Sequence, residues 1–274
     1  DGNGKFVERY PVPLNSPATA GLGLCDYEGK KEYRMFIPCE NKKVYLYSKE
    51  GEVVDGWKFD ESEHEVGSVV QHFLVDDKDY IVFNDKNKAY ILNRKGRSRV
   101  KPKDNFAISK NGKFILEKLV PDKKSRMVIT SPDGTINFVD FKGKVTTIKI
   151  RDFSDNHYFD FQDVNGDGQR DFIFVDNNKL EVYSQNQKII IDYKFDSPID
   201  NRPVYYEFPG NNKKIGITST STDELFLING DGTLYEGFPL YGSTLFSIGS
   251  LHQNRRFNLF VGTGNKFLYN YEVK

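Results

Sequence analysis

Two cysteines, one tryptophan and four histidines among 274 residues leave little material for disulfide frameworks, metal clusters or redox centres. If strands near residues 20 to 26 and 33 to 39 pair about a turn at 29 to 30, opposed positions sum to about 59, so Cys25 faces Arg34 and Cys39 faces Ala20. That register holds the two thiols roughly 16 Å apart, beyond the reach of a disulfide, and they read as small core residues that do not fix a redox compartment. An excess of charge of either sign is also missing: 39 Lys and Arg balance 39 Asp and Glu, interspersed, with no basic stripe for nucleic acid. No apolar run is longer than a strand, so no membrane-spanning helix is encoded, and none keeps a 3.6-residue period long enough for a core helix. His64, His72, His157 and His252 form no HExxH or other close metal-binding pair, and GxSxG, the P-loop and a GxGxxG between strand and helix are missing. No linker or block of like charge divides the chain, so residues 1 to 274 are expected to form one domain.

What the chain does have is a beat. Gly51, Gly96, Gly143 and Gly232 occupy equivalent turns, with Gln187 standing in for the fourth member, at steps of 45, 47, 44 and 45 residues. Regular spacing of this size marks stacked or radial repeat architectures. Each unit carries four short runs rich in β-branched and aromatic residues, separated by Gly, Asn, Asp and Pro. The second runs are EYRMFI, DYIVFN, SRMVIT, DFIFVD, KIGITS and FNLFVG, and the third are KVYLYS, KAYILN, TINFVD, KLEVYS, ELFLIN and KFLYNY. Nearly continuous apolar runs imply sheets covered on both faces by neighbouring sheets. An outer strand follows each turn, as in EVVDGWKF and TLYEGFPL, but the sixth unit stops before its own. Residues 1 to 14, DGNGKFVERYPVPL, have the missing form, with Gly4 at the turn.

The expected fold is therefore all-β: a six-bladed β-propeller of four-stranded antiparallel blades, closed by the N-terminal strand pairing with the last blade. The blades fall at about 15 to 59, 60 to 103, 104 to 150, 151 to 195, 196 to 240, and 241 to 274 plus 1 to 14. The same phase would arise in a larger ring, in a two-chain arrangement or in a chain cut from a longer repeat array.

One motif carries chemistry. DVNGDGQRD, residues 163 to 171, alternates the oxygen side chains of Asp163, Asn165, Asp167 and Asp171, with Gly168 at a sharp turn and Gln169 placed to offer its backbone carbonyl. Such alternation wraps a hard cation in oxygens, which suits one structural Ca²⁺. The twelfth position is Phe174, where an EF-hand needs a bidentate Glu, and strands flank the loop, so that reading fails. The alternative is a metal-free Asx-rich hairpin turn. At the affinity of extracellular modules, about 10⁻⁴ to 10⁻³ M, roughly 2 mM calcium would add about 0.7 to 1.8 kcal/mol and favour a compartment outside the cytoplasm.

DxNxDGxxD between the first and second strands of a blade resembles the calcium loop of FG-GAP and VCBS repeats of integrin-type propellers. VYLYSKEGEVVDGWKF is similar to quinoprotein-like (PQQ-type) and outer-membrane-assembly propeller repeats, and the whole chain resembles repeat regions of functionally uncharacterised Bacteroidetes-type cell-envelope proteins. Trp57 is the only tryptophan, so the tryptophan-docking ring of quinoproteins is missing and quinone binding is not implied. The resemblance implies a cell-envelope or secreted location and a monomeric domain, free-standing or within a larger protein.

Propeller ligands gather where outer strands lead into the next inner strand. Those loops carry Asp60, His64, Asp155, His157, Asp200, Arg202 and Tyr241 as a candidate ligand face. A non-enzymatic scaffold for a protein or glycan partner is the leading expectation. The alternative is an extracytoplasmic glycan-processing enzyme using carboxylates of these loops.

Overall fold

In the computed structural model, the described residues are 3–120, 124–210, 212–250 and 257–273. They contain twenty-two strands in six antiparallel sheets and no α-helix. The chain divides into two compact units, 1–155 and 156–274.

In the first unit, sheet one holds β1 (Gly23–Cys25), β2 (Arg34–Pro38) and β3 (Val44–Ser48). Sheet two holds β4 (Gln71–Val75), β5 (Lys78–Asn84), β6 (Ala89–Leu92) and β7 (Ser98–Val100). Sheet three holds β8 (Ile115–Glu117), β9 (Arg126–Thr130), β10 (Ile136–Asp140) and β11 (Val145–Ile148). In the second unit, sheet four holds β12 (Tyr158–Gln162), β13 (Asp171–Asp176), β14 (Lys179–Tyr183) and β15 (Ile189–Lys194). Sheet five holds β16 (Val204–Phe208), β17 (Asn212–Ser219), β18 (Glu224–Asn229) and β19 (Leu240–Tyr241); sheet six holds β20 (Ser247–Gly249), β21 (Phe257–Gly262) and β22 (Leu268–Val273).

Continuously apolar strands bury both faces, because alternate side chains point to opposite sides. On β5, Ile81 and Phe83 pack with Phe36 and Leu46 of sheet one, while Tyr80 and Val82 pack with Met127 and Ile129 of sheet three. In the second unit, Ile215, Ile217, Phe226 and Ile228 of sheet five meet Ile173, Val175 and Val182 of sheet four, and Leu225 and Leu227 meet Leu259 and Val261 of sheet six. Each fully buried Ile, Leu or Phe contributes about 1.5–3 kcal/mol.

The beat residues share one turn. Gly51, Gly96, Gly143 and Gly232 have φ of 79°, 73°, 87° and 86°, and Gln187 has 59°. Each donates its N–H three residues back, to Ser48, Asn93, Asp140, Asn229 and Ser184 respectively. Preceding chain also passes over some of these turns: a Cβ on Gly96 would lie 2.6 Å from the Phe59 nitrogen, and one on Gly143 2.3 Å from the Lys101 carbonyl oxygen.

Three expectations are corrected. Sheets one and six have three strands, not four. In sheet one the outer run keeps only the bridge Tyr47↔Val53, because Gly56, at φ 87°, turns the chain away and Trp57 Nε1 then donates to the Val44 carbonyl at 2.7 Å. Gly237, also at φ 87°, interrupts the corresponding run of sheet five, leaving the bridge Ile228↔Leu234 and the two-residue β19.

Among the described residues, none of 3–12 lies in a strand, so sheet six gains no fourth strand from them. Pro11 and Pro13 remove two N–H groups from one edge of this segment, which therefore cannot hydrogen-bond as a continuous strand. It docks on sheet one instead. Tyr10 Oη donates to the Lys49 carbonyl at 3.2 Å, Arg9 pairs with Glu52, and Val12 lies where a Cβ on Gly51 would be. Residues 10 to 12 thus pass over Gly51 as residues 57 to 59 pass over Gly96.

Both thiols are buried and free. Cys25 pairs with Arg34, as the register requires, but Cys39 pairs with Ala18 rather than Ala20. The chain gains two residues between the pairs Gly23↔Phe36 and Ala18↔Cys39, which breaks the hairpin at residues 19–22.

Candidate metal centre

DVNGDGQRD joins β12 to β13, where sequence pattern places it. Gly166 and Gly168 have φ of 79° and 84°, left-handed backbone that glycine adopts without strain. Asp163 organises it: Oδ1 accepts the Gly166 N–H at 2.7 Å, and Oδ2 accepts the Gly168 N–H at 3.1 Å. Asn165 Oδ1 accepts from the Asp167 N–H at 3.0 Å, and Asp167 Oδ1 from the Gln169 N–H at 2.7 Å. The side chains of Asp163, Asn165 and Asp167 thereby fold inward on their own loop.

Asp171 begins β13 on the face that carries Ile173 and Val175 into sheet five. It is 1% exposed. Its Oδ2 accepts the Val164 N–H at 3.1 Å, whereas its Oδ1 is buried without a hydrogen-bond partner. Burial, with the charges of Asp167 and Asp163 added, outweighs the single amide bond and pushes this carboxyl up to about 6. A buried carboxylate oxygen that also feels the negative charges of Asp167 and Asp163 is stabilised by positive charge nearby.

Part of that need is met by a residue the sequence reading passed over. Lys213 Nζ lies 3.2 Å from Asp163 Oδ2. Burial raises the Asp163 carboxyl, but Lys213 and the two glycine amides outweigh it and hold its pKa below the usual range. Lys213 stands on the same face of β17 as Ile215 and Ile217, which pack on sheet four. Alternation along that strand was the only available signal, and no motif marked it.

Among the described residues, no three carboxylate, imidazole or thiol groups converge as a ready-made ligand set. The donors still fit a hard cation in kind: all are oxygens, and one buried oxygen lacks a partner. Their present arrangement is that of a loop closed by its own amides and one ammonium.

The candidate ligand face divides between the two units. In the first, Asp60 is exposed beside a cavity of about 480 Å³ floored by Phe59, Tyr90 and Val100. His64 is half-buried, its backbone N–H held by Asp85 Oδ2 at 2.9 Å, and Asp155 Oδ1 accepts the Lys110 N–H at 3.0 Å. No hydrogen bond or ion pair joins any two of these three described residues. In the second unit, Arg202 and Asp200 meet around Tyr158, whose hydroxyl donates to the Asp200 carbonyl at 2.6 Å while the guanidinium lies 5.5 Å from its ring. Arg202 Nη1 also donates to the Phe159 carbonyl at 2.8 Å. His157 is fully buried against Phe174, a core position rather than a ligand face, and Tyr241 packs edge-on against Tyr269.

The first unit holds a polar cluster that composition did not reveal. His72 Nε2 lies 2.8 Å from Asp79 Oδ1, Arg94 bridges Asp79 and Glu28, and the guanidinium stacks over Tyr27 at 4.3 Å. It ties sheet one to sheet two.

No family model and no curated protein matches the chain. Solved structures do. BBS1N in complex with ARL6DN is similar at a TM-score of 0.58 and 14% identity, covering 93% of this chain and 78% of that one. Dihydro-heme d1 dehydrogenase NirN gives 0.57 at 14% identity, over 93% of this chain and 56% of that one. A streptogramin B lyase gives 0.50 at 14% identity, over 95% and 85%. At such identities the likeness concerns fold alone: this is an all-β protein of propeller-like architecture. No helix among the described residues is long and apolar enough to cross a membrane.

Proposed function

We propose that this chain is a non-enzymatic, extracytoplasmic propeller of the bacterial envelope, a rigid scaffold for a protein or glycan partner, with one structural Ca²⁺ in its fourth sheet. On this reading the six sheets are blades of one monomeric domain, and the N-terminal segment takes the outer position ahead of the first. A related fold serves in a protein complex, since BBS1N is solved with ARL6DN.

The observation that carries the calcium reading is Asp171 Oδ1, buried without a partner inside an oxygen-rich loop. Asp163, Asn165, Asp167 and Asp171 would hold the ion through side chains and Gln169 through its carbonyl. The ion would offset the charges of Asp163, Asp167 and Asp171 and pin the β12–β13 hairpin. Millimolar free calcium in the envelope suits sites of this class. The alternative use of the candidate face as an acid–base pair has no comparable support, since Asp155 holds an adjacent loop and Arg202 a strand.

Thermal unfolding in millimolar calcium and in chelator tests the reading. Wild type should gain about 1 to 5 °C with calcium. Asp167→Ala should gain nothing. Equal melting curves for wild type in both conditions would remove the ion.

A further inference from the structure

Lys213 places a positive charge on the oxygen-rich loop DVNGDGQRD. Its ammonium lies 3.2 Å from Asp163 Oδ2, with the lysine side chain 25% exposed and that of Asp163 15% exposed. Asp163 is at once the first donor of DVNGDGQRD and the residue whose two oxygens close the loop. We infer that Lys213 is an internal competitor for the metal, setting the affinity of the calcium loop by holding Asp163 until the ion displaces it. This inference rests on the calcium reading above.

Three features support the exchange. Lys213 and Asp171 project from β17 and β13 into the same sheet-to-sheet interface, so ammonium and ion would address the same loop. Two positive centres there repel, and a divalent ion coordinated by several oxygens replaces a monovalent one bound to a single oxygen. The displaced side chain also has somewhere to go. Lys213 lines an open cavity of about 570 Å³, which gives its side chain room to move.

Its neighbour cannot take the same part. Lys214 lies on the opposite face of β17 and is 3% exposed. Its Nζ is fixed at 2.6 Å from Asn229 Oδ1 and 3.2 Å from Asn212 Oδ1, above the Tyr235 ring at 4.4 Å. The competition belongs to one side chain.

Titration calorimetry with CaCl₂, checked by terbium luminescence, on wild type, Lys213→Met and Lys213→Arg tests the inference, with far-ultraviolet circular dichroism in chelator confirming that each variant folds. Lys213→Met should bind calcium about three- to tenfold more tightly, the range expected from losing a partly buried pair. Lys213→Arg keeps the charge and should bind as wild type does. Equal affinity in wild type and Lys213→Met, or tightening in Lys213→Arg equal to that in Lys213→Met, would overturn the competitor role while leaving the calcium site standing. Absence of binding in all three proteins would overturn the calcium reading and this inference with it.

Discussion

Replacing Asp171 with Asn should stabilise the calcium-free protein, although it removes a residue of the proposed ion site. The carboxyl is 1% exposed, one of its oxygens has no hydrogen-bond partner, and Asp163 and Asp167 add negative charge. Burial and those charges raise its pKa from 3.8 to about 6. At about 1.4 kcal/mol per pH unit, keeping it ionised in the folded chain costs up to about 3 kcal/mol near neutrality. Because the folded value lies above the unfolded one, the folded state holds the proton more tightly. The stabilising contribution is therefore complete below pH 3.8 and is lost as pH rises through about 6. Asparagine keeps an oxygen for the Val164 N–H and brings an NH₂ group that can donate to the neighbouring carboxylates.

The assay is urea unfolding in chelator, followed by far-ultraviolet circular dichroism, between pH 4 and pH 7.5. Every other ionisable group titrates in both proteins, so the difference between them isolates this carboxyl. Asp171→Asn should lead by about 2–3 kcal/mol at pH 7.5, and the lead should shrink toward zero as pH falls to 4. Millimolar calcium should narrow or reverse the difference, since only wild type retains the full charge for the ion. A variant less stable than wild type in chelator at pH 7.5, or a difference that ignores pH, would refute the reasoning.

Three further substitutions concern positions of positive φ, two in the repeated turn and one at Gly56. Gly143→Ala should cost about 2–3 kcal/mol, because φ is positive and a Cβ would stand 2.3 Å from the Lys101 carbonyl oxygen. Gly56→Ala, at a φ of 87° but in open space, should cost only about 1 kcal/mol, and equal losses in urea unfolding would show that the close approach is unimportant. Gln187→Gly should gain about 0.5–1 kcal/mol by relieving a non-glycine residue at φ 59°, measured as a raised urea midpoint; an unchanged midpoint would mean the turn is unstrained.

Local chemistry made much of the architecture legible in the residues alone. Apolar runs that are long for an alternating strand and short for a helix marked β13 and β21 to their end residues, DFIFVD and FNLFVG. Glycines spaced one unit apart located turns that need a positive φ, and Gln187 kept its place in the count because the same backbone turn is imposed on it. The oxygen alternation of DVNGDGQRD and its position between two strands were equally local, since loop and donors lie within nine residues.

Tertiary structure decided whatever depends on which faces meet. The outer run of sheet one looked like a strand, yet Gly56 sends Trp57 back to the Val44 carbonyl and leaves a bridge. The N-terminal segment resembled a missing strand, but its prolines and the socket at Gly51 direct it onto sheet one. Asp171 Oδ1 lacks a hydrogen-bond partner, and Lys213 reaches Asp163 from fifty residues away, because sheets four and five pack face to face. Strand propensity and turn chemistry act between neighbours in sequence, whereas charge pairing and desolvation act between neighbours in space, and only folding brings the second kind together.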